Sequence, residues 1–451
     1  MRVDHLRPTH LRLRALAVFV AALAFAAAAG AQPPPPSTVL LTLAEAVERA
    51  LAASHRLGEA TAREGAARAA AQSRGAADNF AVSLLGGYTR TNHVDEFGIP
   101  QPNGTVNVIY PDVPDNWRVR LDLAWPVYTS GRLQALERAA ATEADATARD
   151  ARAVGADVRL DAARAFWTLA MATDAVRVTS ESLRRTEAHL RDVKTMLGVG
   201  LLAPNDVLSV EARHSRERVL VIEAKNARDV AEADLRRATG LPADAVVEIA
   251  TAGEPVPAPP SLSTLVAEAR QARPERQALE LRVQAFGPRH EAAAAATKPT
   301  VAIVGGTDYA RPNPRIFPRA PEWNASFDIG VNVAWNFWEG GKARADLAEV
   351  DSARRAAEER LAEFDRMLEF ELTQRRLDLE AARAAIGAAA DGVRAAADAH
   401  RVVTERFKAG LASNTEVMDA QVALLHAELD RTRAETAANL AAARLARALG
   451  L

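Results

Sequence analysis

The stretch Trp335–Arg344, with the sequence WNFWEGGKAR, decides the fold because a strand-like pattern changes there abruptly into a long helical one. The same change occurs at Trp125–Gln134, WPVYTSGRLQ, 210 positions earlier in the chain. A compound pattern that recurs at a fixed spacing indicates an internal repeat. The chain is therefore predicted to contain two copies of one strand-to-helix unit.

The repeat extends well beyond these two stretches. The offset of 210 persists to the C-terminus, and upstream it becomes 219 because one strand loop in the first half is nine residues longer. We expect a first repeat at 43–250 and a second at 264–451, each made of helix, strand, loop, strand, long helix, tight turn and shorter helix. A Pro-rich linker at 251–263 separates them, and a small mixed patch built from this linker and the chain end is expected. The matching pairs are Gly200-Leu201 with Gly410-Leu411, Gly240-Leu241 with Gly450-Leu451, and Gly86-Gly87 with Gly305-Gly306.

Composition limits the classes of function. The 451 residues are 49% hydrophobic and carry a net charge of −2, which is enough chain for two or three domains but gives no electrostatic reason to expect nucleic acid as a partner. The sequence contains no cysteine. Disulfides, thiol chemistry and a cysteine-linked lipid anchor are therefore excluded for this sequence.

Residues 1–31 have the features of a signal peptide. Four arginines lie among the first 14 residues, an apolar run follows from Ala15 to Ala29, and Ala29-Gly30-Ala31 is a small-residue cleavage site. This pattern predicts export across an inner membrane, with an uncleaved anchor as the alternative, although about 15 apolar residues are short for a membrane span. Residues 32–42, which include Pro33–Pro36, are predicted to be a linker ahead of the fold.

Four segments have a strand pattern, at about 80–90, 115–128, 299–310 and 322–338. In the last one, apolar residues from Trp323 to Phe337 alternate with polar or small residues over 15 positions, which is long for a soluble sheet and suits a tilted membrane strand. A soluble β-domain with an aromatic core is the alternative. The polar positions of the alternation are expected to face the lumen of a barrel, and they are Arg118, Arg120, Asp122, Asp328 and Asn332.

Four strands cannot close a barrel, because the smallest membrane barrels need eight. Several chains must therefore pool their strands, two chains giving eight strands or three giving twelve. The fold class predicted from the residues is a mixed α and β membrane protein, in which a shared β-barrel continues into a long helical part.

Long helices are predicted at 131–197 and 342–408, and shorter ones at 204–240 and 414–450. Each long helix would measure roughly 100 Å, far beyond a globular helix. In the second, apolar positions recur every seven residues from Leu372 to Phe407, which is a coiled-coil pattern. His400 lies in this register and is interpreted as a partnered core residue rather than a metal ligand.

Motifs for enzymatic chemistry are not convincing. Residues 198–203 fit a dinucleotide fingerprint in form, but they follow a helix rather than a strand. The Gly-Gly-Lys at 340–342 lacks the upstream glycine of a phosphate loop, and the nine histidines show no metal-ligand spacing. We therefore expect no enzyme activity, no cofactor and no metal site.

At this point the residues resemble a known family. The duplicated strand–helix units, the motifs WPVYTSGR and WNFWEGGK, and the turns GVGLLAPNDVL and KAGLASNTEVM look like those of the TolC-like outer membrane factors. The resemblance covers about residues 40–451. It implies a homotrimer with a shared twelve-stranded barrel in the outer membrane and a helical tunnel in the periplasm, which acts as a passive exit duct. The implied partners are a periplasmic adaptor protein, an inner-membrane transporter and outer-membrane lipid.

The same resemblance implies roles for residues at the two turns. Adaptor contact would map to Gly200, Leu201, Gly410 and Leu411, and the acidic tunnel entrance would map to Asp206, Glu416 and Asp419. Structural need alone could explain the glycines, and carboxylates in a first helical turn also complement the helix dipole. One departure is Ala412, where some relatives have a basic residue that latches the closed entrance, so that the closed state would be held differently.

Two other functions are considered. A trimeric coiled-coil surface protein or adhesin with a barrel anchor predicts a single strand block at the C-terminus, whereas here strands lie within each half and the chain ends in a helix pattern. A duct for protein secretion, as in a type I system, is as compatible with the sequence as a duct for drugs or metal ions, because the inner-membrane transporter chooses the substrate.

Overall fold

The computed structural model describes residues 38–250 and 256–451. The predicted signal peptide at 1–31 and the run Pro33–Pro36 lie outside the described residues. Eight helices and eight strands are described in this part of the chain. In chain order they are β1 (Thr38–Leu41), α1 (Leu43–Ala53), α2 (His55–Gly75), β2 (Ala81–Arg90), β3 (Phe97–Pro100), β4 (Val106–Tyr110), β5 (Asp115–Tyr128), α3 (Arg132–Gly198), α4 (Pro204–Thr239), β6 (Val246–Ile249), α5 (Leu262–Ala272), α6 (Pro274–Ala295), β7 (Thr300–Arg311), β8 (Asn324–Ala334), α7 (Lys342–Lys408) and α8 (Asn414–Leu449).

The helices of the two halves correspond in length. Both long helices, α3 and α7, have 67 residues, and both shorter helices, α4 and α8, have 36. Each long helix follows a glycine in the left-handed conformation, Gly131 with φ 81° and Gly341 with φ 91°. Glycine adopts this conformation without a steric penalty, so the same residue type produces the same abrupt change from strand to helix in both halves.

The single helix expected at the start of the first repeat is broken into α1 and α2. Ser54 has an extended backbone, and its hydroxyl accepts a hydrogen bond from the backbone N–H of Leu57. A serine that caps the following helix in this way ends the preceding one. Arg273 lies at the equivalent break between α5 and α6.

Four long strands form one antiparallel sheet in the order β2-β5-β7-β8. One face of the sheet is apolar and exposed in the single chain, with Phe327 78% and Ile329 76% exposed. The opposite face carries polar side chains, because directly paired residues share a face and Arg120 pairs with Asp308, and Gly306 with Asp328. We call these the apolar face and the polar face.

The fourth strand is shorter than predicted. The expected range was 322–338, but β8 ends at Ala334, which pairs with Thr300, the first residue of β7. Residues beyond Ala334 therefore have no neighbouring strand to bond. Trp335 instead donates its indole N–H to the backbone oxygen of Thr297 at 3.1 Å, and its ring lies against that of Phe337.

A second correction concerns the linkers. Residues 32–42 were expected to be a linker, yet Thr38–Leu41 forms β1, which pairs in parallel with β6 from the end of the first half. Burial of apolar side chains explains why Thr38–Leu41 is a paired strand rather than a linker. Leu41 and Val247 are buried in one cluster with Phe166, Leu169 and Leu235. The patch expected from 251–263 and the chain end is present in part, since Val256 and Leu262 pack against a buried cluster that includes Leu445 and Ala448. The predicted linker is also shorter, since α5 begins at Leu262.

Two further short strands, β3 and β4, pair within the region that was predicted as a loop between β2 and β5. The five residues VNVIY of β4 carry a strand pattern too short to distinguish from a loop in the sequence. Tyr110, at the end of β4, is paired with Phe97.

The helices pack side by side around α3. This helix contacts α2 and α4 on one side and α6 and α8 on the other, while α7 contacts α6 and α8. α3 has 21 buried residues, but only four residues of α7 are buried, although the two helices have the same length. α7 therefore lies at an edge of the arrangement. Within residues 38–250 and 256–451, no helix has the length and apolar character needed to cross a membrane.

Substitution of Gly450 tests the packing at the chain end. Gly450 has φ 90°, and a Cβ there would lie 2.9 Å from the Cα of Arg273, whereas Gly410 has φ 72° with nothing within 4 Å. We expect Gly410→Ala to cost about 1 kcal/mol, the left-handed penalty alone. Gly450→Ala should cost clearly more because backbone at the α5–α6 break must move. Thermal melting followed by circular dichroism checks this, and equal losses would contradict it.

Candidate functional site

The polar face of the sheet carries a network of arginines and aspartates. Arg118 Nε donates to Asp308 at 2.5 Å, and Arg120 donates to Asp122 at 2.6 Å, to Asp328 at 3.3 Å, and to Asp308. Asp308 is 2% exposed. A carboxylate this buried is stable only when it is paired, and here two guanidinium groups flank it. Asp308 is a residue that the sequence analysis missed.

The structure places the five predicted polar-face residues on one face of the sheet. Asn332 lies four residues after Asp328 on β8, where it pairs with Ala302. It is exposed and lies outside the charged network. Arg315, from the loop between β7 and β8, adds a further bond to Asp328 at 2.7 Å. The loop residue was not foreseen, because loop sequences give no indication of the face over which they fold.

The two turns at the far end of the long helices have the same geometry. Gly200 has φ 77° and Gly410 has φ 72°. The backbone N–H of Leu201 donates to Met196 O at 2.9 Å, and that of Leu411 donates to Arg406 O at 2.8 Å, which satisfies the last carbonyls of each helix. Both leucine side chains protrude, 72% and 67% exposed respectively. The turns thus present an apolar tip in each half.

The three predicted acidic residues lie at the starts of α4 and α8. Asp206 accepts a bond from the backbone N–H of Ala203 at 3.3 Å. Glu416 accepts bonds from the backbone N–H and the hydroxyl of Ser413 at 3.1 and 3.0 Å, and these bonds hold the pKa of Glu416 below its ordinary value. Asp419 is exposed one helical turn later. Glu416 and Asp206 therefore act as helix caps in the single chain.

An apolar cluster beneath the turns joins the two halves. It contains Val193, Val207 and Val210 from the first half, and Phe407 and Val417 from the second. Ala412 packs against this cluster. The position at which some relatives have a basic residue thus contributes to apolar packing within the chain.

A buried polar contact also connects the two turns. Asn414, 4% exposed at the start of α8, lies 2.7 Å from Nε2 of His189 on α3 and donates to the backbone oxygen of Asp206 at 3.2 Å. Because the side-chain nitrogen of Asn414 donates to the backbone oxygen of Asp206, the Oδ1 of Asn414 faces His189. The Nε2–H of His189 is therefore the donor in the second bond. Residues of α3, α4 and α8 thus meet at the side-chain amide of Asn414. Pro204 occupies the equivalent position in the first half, so the sequence repeat gave no indication of this contact.

Further polar groups are buried one to two turns above. Thr186 donates to Glu217 at 2.8 Å, and Arg213 donates to the same carboxylate at 2.8 Å. Glu217 is 1% exposed. Arg185 on α3 forms a two-bond pair with Glu428 on α8, at 3.3 and 2.7 Å. The Arg185–Glu428 pair, together with the contact of Asn414, links the α3–α4 hairpin to the α7–α8 hairpin, whereas the bonds to Glu217 lie within the α3–α4 hairpin.

His400 lies beside this network on α7. Its Nε2 is buried and has no hydrogen-bond partner among the described residues. Burial is the main cause that lowers the pKa of His400, and the nearby charges of Arg185 and His189 on α3 lower it further, against the opposing effect of Glu428 on α8. The position is a core register, as expected, but the expected polar partner is absent from the part of the chain that the structure describes.

The family of the chain can now be established. A family model described as outer membrane efflux protein matches residues 46–241 and 265–451, which are the two halves found above. The chain belongs to the outer membrane efflux protein family. It is therefore a protein of the outer membrane that extends into the periplasm. A search of curated protein sequences finds no match.

Solved structures of outer membrane and channel proteins have the same fold. VceC from Vibrio cholerae is 19% identical with a TM-score of 0.73, over 90% of this chain and 96% of that one. CusC is 16% identical with a TM-score of 0.76, over 93% and 95% of the two chains. The open state of the MtrE channel of Neisseria gonorrhoeae is 17% identical with a TM-score of 0.73, over 90% of this chain and 88% of that one.

His400 gives a testable pH dependence. Its pKa is lowered in the folded chain, so the unfolded chain, with a histidine pKa near about 6.5, takes up the proton more readily. The contribution of His400 to the free energy of unfolding is therefore fully present above about pH 6.5. It is lost as the pH falls toward the lower pKa of the folded chain. We expect His400→Leu to reduce the fall in melting temperature on acidification.

Circular dichroism melts at two pH values measure the difference. His426→Leu, at an exposed position on α8, is the matched control and should keep the wild-type pH dependence. If the melting temperatures of wild type and His400→Leu fell by the same amount on acidification, His400 would not be the source of the pH dependence.

Proposed function

We propose that three copies of the chain form one passive exit duct, with a shared twelve-stranded barrel in the outer membrane and a helical tunnel in the periplasm. The observation that carries this proposal is the four-stranded sheet with an exposed apolar face and two unpaired edges. β2 and β8 each have a strand neighbour on one side only within the described chain. In lipid, unpaired backbone groups are prohibitively costly, so β8 of one copy would pair with β2 of the next.

The helical part supports the same arrangement. α7 forms one edge of the helix layer, and Met367, Phe370 and Leu377 are each at least half exposed along it. At the opposite edge, α4 exposes Val219, Ile222 and Val230. Apolar stripes on both edges of a layer are suited to contacts between copies. A ring of three layers would then continue the barrel as a tunnel.

The turns define the proposed docking end. In this proposal, Gly200, Leu201, Gly410 and Leu411 contact a periplasmic adaptor protein, which connects the duct to an inner-membrane transporter. The exposed leucine side chains at the two tips support this role, because apolar groups at a protein tip usually mark an interaction surface. The duct itself performs no chemistry, and the transporter supplies the energy and selects the substrate.

Strand pairing between copies can be tested by disulfide trapping, because the natural chain contains no cysteine. Asn332→Cys in β8 is combined in turn with Ala81→Cys, Ser83→Cys and Leu85→Cys in β2, all on the polar face. We expect at least one pair to give a covalent trimer on a non-reducing gel. Ala124→Cys with Val304→Cys, which face each other within one chain, is the control and should stay monomeric. A monomeric mass by light scattering in detergent would reject the trimer.

The entrance acids have a second proposed role. Glu416 and Asp419 lie one turn apart on an exposed face, so that around a threefold axis they would form two rings of three carboxylates. Such rings in a narrow passage favour cations and bind multivalent ones, because screening there is weaker than in bulk water. Asp206 would lie at the same level, since Asn414 contacts its backbone.

Neutralising the rings separates this role from helix capping. In planar bilayers, Glu416→Gln with Asp419→Asn should reduce cation selectivity and abolish block by divalent or trivalent cations added from the tunnel side. Asp430→Asn lies on the same face of α8 roughly 21 Å further along and should conduct like wild type. If the double variant forms intact trimers with unchanged selectivity and unchanged block, the carboxylates serve only as caps, worth at most about 1 kcal/mol per site.

A further inference from the structure

The segment between β7 and β8, residues 312–323, folds onto the polar face of the sheet, and we call it the strap. Asn313 is 2% exposed and donates to the backbone oxygen of Asn324 at 2.9 Å and to Ser326 Oγ at 3.0 Å. Arg315 donates to Asp328 Oδ1 at 2.7 Å and to the backbone oxygen of Phe327 at 2.9 Å. These bonds hold the start of the strap against β8.

The other end of the strap reaches the start of β5. Arg319 donates to Asn116 Oδ1 at 2.7 Å and to the hydroxyl of Tyr110 at 2.7 Å, with its guanidinium 5.2 Å from the centre of the Tyr110 ring. Under the strap, Asp308 and Ala310 on β7 are only 2% and 1% exposed. The strap therefore crosses the polar face and, together with β2 and β5, lines a partly open space.

This space is a cavity of about 370 Å³ that is partly open to its surroundings. Its lining combines three guanidinium groups with apolar surface, and none of its lining residues is acidic. Gly87 on β2 forms part of the wall. A Cβ at this position would have no atom within 4 Å, so the space beside Gly87 is empty. The lining includes Arg118, Arg120, Arg319, Leu85, Pro312 and Pro314.

The three arginines differ in how far their charge is compensated. Arg120 directs all three of its nitrogens at Asp122, Asp308 and Asp328. Arg118 uses Nε for Asp308, and its two terminal nitrogens have no partner among residues 38–250 and 256–451. Arg319 has only uncharged partners. Arg118 therefore offers free N–H donors although its charge is paired with Asp308, Arg319 offers a positive charge with no carboxylate partner, and Arg120 offers neither.

We propose that this cavity binds an organic anion, whose carboxylate or sulfonate group lies between Arg118 and Arg319 and whose apolar body lies against Leu85, Pro312 and Pro314. Guanidinium groups bind such anions through charge-assisted bonds, and the cavity volume suits a ligand of one or two rings. The inference rests on the proposed function in one respect, because the polar face borders the channel interior only in the closed barrel. There the site would border the path of exported substrates.

Binding is tested first without any channel measurement. Naphthalene-1-sulfonate is titrated into the detergent-solubilised protein by calorimetry, with 1-naphthol as the neutral analogue. We expect the sulfonate to bind and 1-naphthol to bind much more weakly. Arg319→Gln should weaken sulfonate binding about 10-fold or more, since hydrogen bonds to charged groups contribute that much to affinity.

Two more variants separate the site from folding defects. Gly87→Val fills the open wall without changing any charge, and valine suits a strand, so it should abolish binding in a folded protein. Arg90→Gln removes an arginine from the same strand, where it pairs with Asp115 outside the cavity lining, and should bind like wild type. In planar bilayers, the sulfonate added to the outer side should block current in wild type and Arg90→Gln only.

The outcomes distinguish this inference from the proposed function. Absence of sulfonate binding to wild type, or equal binding by wild type, Arg319→Gln and Gly87→Val, overturns the anion site. A protein that binds the sulfonate as predicted but never conducts retains the site and counts against the duct. A protein that conducts without sulfonate binding or block retains the duct and rejects the site.

Discussion

Backbone hydrogen bonding in lipid is the constraint on which the rest of this structure depends. Each unsatisfied N–H or C=O in hydrocarbon costs several kcal/mol, so a sheet that faces lipid cannot end in an open edge. The chain supplies four strands with an apolar face and leaves β2 and β8 without outer neighbours among its described elements. The proposed pairing with other copies of the chain follows from these two unpaired edges. In the proposed trimer the long helices inherit the same symmetry, because each follows a sheet strand closely. α3 begins four residues after the end of β5 and α7 eight residues after the end of β8, each directly after a left-handed glycine.

The two halves of the chain are similar in backbone but not in the side chains that connect them. α3 is central and carries buried polar groups, whereas α7 is an edge helix with few buried residues. Asn414 contacts both His189 and the start of α4, while its counterpart Pro204 has no side-chain donor. A duplicated unit has thus acquired specific contacts at the turns, which fix how the second hairpin sits on the first.

The sequence predicted the regular parts of the fold because its signals there are local. Alternation in β5 and β8, the heptad pattern of α7 and the paired glycines at the turns each depend on residues close in the chain. The pairing of β1 with β6 was not predictable in the same way, because it joins residues more than 200 positions apart. Asp308 was missed because alternation in β7 is blurred by Ala302 and Val304 on the polar face. Arg315 and Arg319 were missed because their positions depend on how the strap folds. The entrance residues came from family resemblance rather than from any local signal.

The equal helix lengths of the two halves restrict how this chain can change during evolution. The turns of both halves meet in one apolar cluster, which requires α3 and α7 to end at the same level and in the same rotation. One residue inserted into a single long helix would shift its tip by about 1.5 Å and rotate it by about 100°, separating Val193 from Phe407. Compatible insertions must come in whole heptads and in both halves together. The nine-residue difference between the halves lies in a strand loop, where length variation disturbs no shared register.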